Sequence, residues 1–153
     1  MFTHILIPTD GSHIAQESAR AGVALAKALG ARVTGFFAAP APTPIVYANF
    51  IPVGFMSPDE HAKLIEKTAR QYLSVIERAA RDAGVPCEVV HKTNDFPAEA
   101  IIDAAREHGC DCIFMASHGY SGRRGPTLGS ETRKVANQSP VPVVIYRVEA
   151  ASG

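Results

Sequence analysis

Tryptophan is absent from the 153 residues, and cysteine occurs only three times. An odd set of thiols (Cys87, Cys110 and Cys112) does not build a disulfide framework. Cys110 and Cys112 alternate along one run, but no second ligand pair accompanies them, so inert buried thiols are expected rather than a metal centre. Excess charge of either sign is also missing, because 15 basic residues balance 15 acidic ones. That balance gives no electrostatic footprint for nucleic acid or an anionic membrane. No apolar run approaches the roughly 20 residues that span a bilayer. The N-terminus enters Phe2-Thr3-His4-Ile5-Leu6-Ile7 without a basic region or cleavage pattern, so a cytoplasmic location is expected. His4, His13, His61, His91 and His108 are scattered without ligand spacing.

What remains is an ordinary globular composition, 46% hydrophobic and 20% charged. It is long enough for a single domain, 1–153, burying roughly two-thirds of its unfolded surface. Five apolar runs alternate with helical patterns. Strands are expected at His4–Pro8, Arg32–Ala38, Pro86–His91, Cys112–Ala116 and Val141–Val148. Between them, Ile14–Leu29 reads as a helix closed by Gly30, and Ser57-Pro58-Asp59-Glu60 opens another that runs to Gly84. Pro97–His108 is a third, closed by Gly109, and Ser130–Asn137 a short fourth. The prolines at 40, 42, 44 and 52 make 39–57 an irregular loop. Its apolar side chains, among them Ile45, Tyr47, Phe50 and Phe55, are suited to a lid or an interface. The tail 149–153 is expected to be flexible.

Strand alternating with helix implies an α/β, doubly wound, five-stranded parallel sheet with about four helices. In such folds the ligand site lies beyond the carboxyl ends of the strands. The loops after the first, second and fourth strands should therefore converge. The fourth strand ends in Met115-Ala116-Ser117-His118-Gly119, and Gly129-Ser130 stands where the next helix begins. Strand, glycine loop and helix N-terminus form an anion-binding arrangement, since backbone N–H groups and the helix dipole favour a phosphate. Glycine suits such a loop by allowing close approach or positive φ.

The order and spacing of these segments resemble the universal stress protein family. The resemblance rests on His4-Ile5-Leu6-Ile7-Pro8-Thr9-Asp10-Gly11-Ser12, on the spaced motif Ala116-x-x-Gly119-x₉-Gly129-Ser130, and on the tail Ser130–Asn137 followed by Pro140-Val141-Pro142-Val143-Val144. It covers essentially the whole chain. It implies a Rossmann-like fold of the adenine-nucleotide alpha-hydrolase type and a nucleotide-binding, regulatory or stress-response role without efficient catalysis. The ligand implied is ATP, or AMP or ADP, with Mg²⁺ or Mn²⁺ held by the phosphates. Adenine and ribose are placed by the resemblance near Pro8, Thr9, Asp10 and Ala38. The phosphates fall near Ala116, Ser117, His118, Gly119, Gly129, Ser130 and Glu131. Ala116 stands where the family motif has its first glycine. Arg123 and Arg124, in the glycine-rich insert, can grip phosphates.

Other readings stay open. Asp10 can cap the first helix, a role Ser12 can share, and His118 can simply order its loop. The chain lacks the Gly-x-x-x-x-Gly-Lys of a P-loop, so binding without turnover is favoured over a slow ATPase. A nucleotide-free partner-binding module with a degenerate site is the third reading. The resemblance also implies a homodimer, here through the last strand, Val141–Arg147.

Overall fold

Nine elements alternate along the chain of this computed structural model, which describes residues 1–41, 57–119 and 127–147. They are β1 (His4–Pro8), α1 (His13–Leu29), β2 (Arg32–Ala39), α2 (Pro58–Ala83), β3 (Cys87–Thr93), α3 (Pro97–Glu107), β4 (Cys112–Ala116), α4 (Ser130–Gln138) and β5 (Val143–Tyr146). All pairs in the five-stranded sheet are parallel, in the order β3-β2-β1-β4-β5. The fold is thus the doubly wound α/β architecture that the alternation implies. No helix among the described residues is long and apolar enough to cross a membrane.

Local chemistry sets the helix ends. The Ser12 hydroxyl accepts from the Ala15 N–H at 3.1 Å and caps α1, while Ser57 does the same for α2 through the Glu60 N–H at 3.2 Å. Pro58 occupies the first helical turn of α2, where a missing N–H costs nothing. Gly30 and Gly84 close the two helices in the left-handed region, at φ 68° and 72°.

The period-two alternation of the strands sorts the core into two layers. Ile5, Ile7, Val33, Phe37, Cys112 and Phe114 pack beneath α1 and α2. Leu6, Phe36, Ile113 and Met115 pack with α3 and Val135 of α4 on the other face. A Cβ on Gly22 would lie 2.8 Å from Ile7 and 2.9 Å from Phe114, so this glycine lets α1 approach the sheet. Gly11 has φ 82°, and the Tyr72 ring of α2 fills the space its Cβ would need. The β1–α1 turn is pinned from above by that ring, which meets Phe37 edge to face at 5.2 Å.

Several expected boundaries move. β2 extends through Ala39, so the irregular segment begins one residue later than its prolines suggest. β3 is shifted to Cys87–Thr93, and Pro86 contributes only a carbonyl that accepts from the Val33 N–H. β5 is shorter than Val141–Val148. The Ser139 hydroxyl accepts from the Val141 N–H and donates to the Val141 carbonyl, tying that backbone into a turn. α4 runs one residue beyond Asn137. The rest of the 39–57 loop, residues 42–56, and the tail 149–153 lie outside the described residues. Burial pushes the thiols of Cys87, Cys110 and Cys112 up to about 11; Cys110 and Cys112 lie in the core, and Cys87 is half-buried against it.

At the opposite end of the sheet from the strand carboxyl termini, His4 is buried with Nε2 2.6 Å from the Thr34 hydroxyl. Thr34 donates to Glu88, so its oxygen accepts from His4 Nε2–H. Nδ1 is left without a partner among the described residues. Burial, then the nearby Arg32 charge, lowers the His4 pKa, against the opposing pull of Glu88 and Asp111. The unfolded chain therefore takes up this proton at a higher pH than the folded one. Stability is full above about pH 6.5, the ordinary histidine value, and is lost as pH falls below it. The urea midpoint should fall between about pH 7 and 5, and His4→Gln should flatten that slope; an unchanged slope in the variant would refute the assignment.

Candidate functional site

β1 and β4 lie side by side, yet the chain leaves β1 toward β2 and leaves β4 toward β5. Neighbouring loops that depart in opposite directions leave a crevice, the switch point where doubly wound sheets take ligands. A cavity of about 550 Å³ opens there. Its walls come from the ends of β1 (Pro8, Thr9, Asp10), β2 (Phe36, Ala38) and β4 (Met115, Ala116, His118, Gly119), from α1 (Ala15) and α3 (Pro97, Ile101), and from residues 127–133.

Ten of the thirteen residues expected at the site line this cavity: Pro8, Thr9, Asp10, Ala38, Ala116, His118, Gly119, Gly129, Ser130 and Glu131. Ser117 sits behind the wall, with no exposed surface. Its N–H donates to the Tyr146 carbonyl, and its carbonyl accepts from the Gly129 N–H at 2.8 Å. Arg123 and Arg124 lie outside the described residues.

Asp10 is not the cap of α1. Ser12 holds that role, and the Asp10 Oδ1 instead accepts from the Ser12 N–H at 2.9 Å, which fixes the carboxylate at the cavity wall. Thr9 is anchored by its N–H to the Phe36 carbonyl, and its hydroxyl accepts from the Gly11 N–H. His118 is held at both ring nitrogens. Nε2 lies 2.6 Å from the Thr127 carbonyl and so donates to it, while Nδ1 meets the Ser117 hydroxyl at 2.9 Å. The ring therefore orders the loop, as one sequence reading allows.

The two glycines of the motif are small for a reason of space. Neither has positive φ. A Cβ on Gly119 would overlap the Asp10 Oδ2, and one on Gly129 would stand 3.3 Å from both the His118 Cα and the Ser117 carbonyl oxygen. Ala116 also keeps negative φ, so its methyl group meets no backbone strain.

Gly129 precedes the first turn of α4 with φ −58° and ψ 156°, and among the described residues no side chain caps that helix. Its own N–H is committed to Ser117, so the donors without intrahelical acceptors are those of Ser130, Glu131 and Thr132. They carry the partial positive charge of the helix dipole into the cavity. The Thr132 hydroxyl donates to the Ala116 carbonyl and locks α4 to β4. Glu131 has a second task, because its Oε2 accepts from the Ala98 N–H at 3.0 Å and supplies the missing cap of α3. Among the described residues, no group of three His, Cys, Asp or Glu side chains is placed to hold a metal.

Sequence reasoning missed Ala15, Phe36, Pro97, Ile101, Met115, Thr127, Leu128, Thr132 and Arg133 on the lining. Met115 carried a signal as the last large apolar residue of β4, and Phe36 as the last on its face of β2, Phe37 belonging to the other layer. Pro97 and Ile101 carried none. Their place depends on which face of the sheet α3 covers.

A family model described as the universal stress protein family matches residues 1–147. A universal stress protein of Bacillus subtilis, YxiE, is 30% identical over 151 residues, covering 96% of this chain and 100% of that protein. One from Thermus aquaticus is 32% identical over 152 residues, with 96% and 100% covered. Among solved structures, a Methanocaldococcus jannaschii protein whose biochemical function was assigned from its structure superposes with TM-score 0.80 at 23% identity, covering 99% of each chain. A universal stress protein in complex with cAMP gives TM-score 0.70 at 21% identity, covering 97% of this chain and 99% of that one. An Arabidopsis thaliana family protein with AMP bound gives 0.67 at 13%, covering 97% and 93%.

The contact between Gly119 and Asp10 is open to a double-mutant cycle. Gly119→Ala should cost about 1–2 kcal/mol by displacing the carboxylate from the Ser12 N–H. In an Asp10→Ala background the same change should cost less than about 0.5 kcal/mol. Equal costs in both backgrounds, measured by urea unfolding, would mean that the glycine is small for another reason.

Proposed function

This chain belongs to the universal stress protein family, and from that premise we propose that it binds an adenine nucleotide in the cavity at the β1–β4 switch point and serves as a regulatory protein of the stress response. One observation carries the reading most directly. The uncapped N-terminus of α4, a fixed carboxylate at Asp10 and an apolar slot between Ala38, Met115 and Ile101 face the same space. A nucleotide needs all three: donors for phosphate, an acceptor for ribose hydroxyls or the adenine amino group, and an apolar bed for the base. Relatives of this fold hold cAMP and AMP. ATP or ADP would bring Mg²⁺ or Mn²⁺ on its own phosphates.

In this reading Pro8, Thr9 and Ala38 frame the base, and Asp10 takes the ribose. Gly119, Ser130 and the first turn of α4 take the phosphate, with Ser117 and His118 holding their loop in place. Arg123 and Arg124 join the phosphate side as sequence candidates. A nucleotide at 100 times its dissociation constant should add about 2.7 kcal/mol of stability. A thermal shift with AMP, cAMP, ADP and ATP, with and without Mg²⁺, tests this, and no shift with any of them at millimolar concentration would defeat the reading.

We also propose that the chain forms a homodimer through β5, supported by the place of this strand at the sheet edge. The Ile113 N–H donates to the Pro142 carbonyl and the Ser117 N–H to the Tyr146 carbonyl, so even-numbered residues bond inward to β4. Val143 and Ile145 then present their backbone groups outward, a template for a second strand. Ile145→Pro removes an outward donor and leaves the inner ladder intact. By light scattering it should shift a dimeric wild type to monomer; a wild type that is monomeric, or a variant that stays dimeric, would sink the proposal.

A further inference from the structure

Besides α1, whose first turn reaches the cavity at Ala15 and is capped by Ser12, two helix N-termini border the cavity, α3 at Pro97 and α4 at Ser130. Each begins without a side-chain cap from its own first residue. Two open N-termini at one cavity would suit a chain of phosphates. One of them is already filled. The Glu131 carboxylate spans from the first turn of α4 to the Ala98 N–H of α3, so an internal anion occupies the end of the second helix. Its other oxygen lies 3.3 Å from the Lys134 ammonium, an exposed pair that water and salt screen and that offsets its charge only in part.

The charges on the wall point the same way. Among the described residues lining the cavity, besides His118, two carboxylates, Asp10 and Glu131, stand against one guanidinium, Arg133. Of the two uncapped helix ends, that of α4 suits one phosphate group, and that of α3 is closed to a second by the Glu131 carboxylate. The several negative charges of a triphosphate would extend along a wall that already bears an anion.

We infer that Glu131 is a specificity-determining residue that restricts the site to nucleotides with one phosphate, AMP-like monoesters or cyclic diesters, and disfavours ATP. The inference rests on the nucleotide reading of the cavity and refines it. Glu131 acts by occupying the α3 N-terminus and by placing its charge where a β- or γ-phosphate would lie. Lys134 tempers that charge from outside the cavity.

Isothermal titration calorimetry with AMP, cAMP and ATP, without divalent cation and at low salt, tests the inference on three proteins. Glu131→Gln keeps an acceptor for the Ala98 N–H and removes the charge. It should raise the ratio of ATP affinity to AMP affinity by about tenfold. Lys134→Ala, an exposed change beyond the cavity, unmasks the carboxylate and should lower that ratio by about threefold. Opposite shifts are not expected of a role confined to capping α3, which would change both affinities together. A ratio that is unchanged in both variants, or moves the same way in both, overturns the inference while leaving nucleotide binding intact. Failure of all three nucleotides to bind the wild type and both variants overturns the nucleotide reading itself, and this inference with it.

Discussion

The cavity depends on one buried backbone clamp. The N–H of Ser117 donates to Tyr146 of β5, and its carbonyl accepts from Gly129 at the start of α4. Ser117 has no exposed surface, so neither bond competes with water, and leaving either unmade would cost about 1–3 kcal/mol. The clamp brings the end of β4, the sheet edge and the first turn of α4 to one point. The Thr132 hydroxyl on the Ala116 carbonyl and the His118 ring on the Thr127 carbonyl close the same junction from either side. A Cβ on Gly129 would stand 3.3 Å from the His118 Cα and the Ser117 carbonyl oxygen, so this junction favours the smallest residue there.

Polar groups at helix ends are shared across the molecule rather than satisfied locally. α1 and α2 begin on their own serines, although the first turn of α1 reaches the cavity at Ala15. α3 takes its cap from Glu131 on another helix, and α4 has none among the described residues. The α1 end at the cavity is satisfied by its neighbour Ser12. The other two that border it are either linked through a carboxylate or, among the described residues, left open. The donors of α4 are thereby held in place without being consumed, the state an anion site requires.

Much of this was legible beforehand, where the signal is local. The runs of β1 and β4 are bounded by turn and small residues, and their limits match the expected ones. Ser57 followed by Pro58 marks the start of α2 through cap chemistry that involves only adjacent residues. Less was legible at the sheet edges. β3 is half exposed and carries Lys92 within it, so no alternation marks its end. β5 is cut short by a serine hydroxyl bonded to the Val141 backbone, a contact that periodicity does not encode. At the site, spacing singled out Gly119, Gly129 and Ser130 because three short features had to recur in order. The same spacing gave no hint that Ser117 would turn inward.

By itself the sequence determined the alternation of strand and helix, the parallel sheet with both faces covered, the helix stops and the presence of a glycine loop before α4. Each follows from residue periodicity, or from the sterics of glycine and proline within a few positions. Only the tertiary structure decided why those glycines are small, since the atoms that crowd Gly119 belong to Asp10 at the far end of the chain. It alone made Glu131 the cap of α3 and assigned Pro97 and Ile101 to the cavity wall. Strand order sets these contacts. That order places β1 beside β4 through burial on both faces of the sheet, a global balance with no signature in any short stretch of residues.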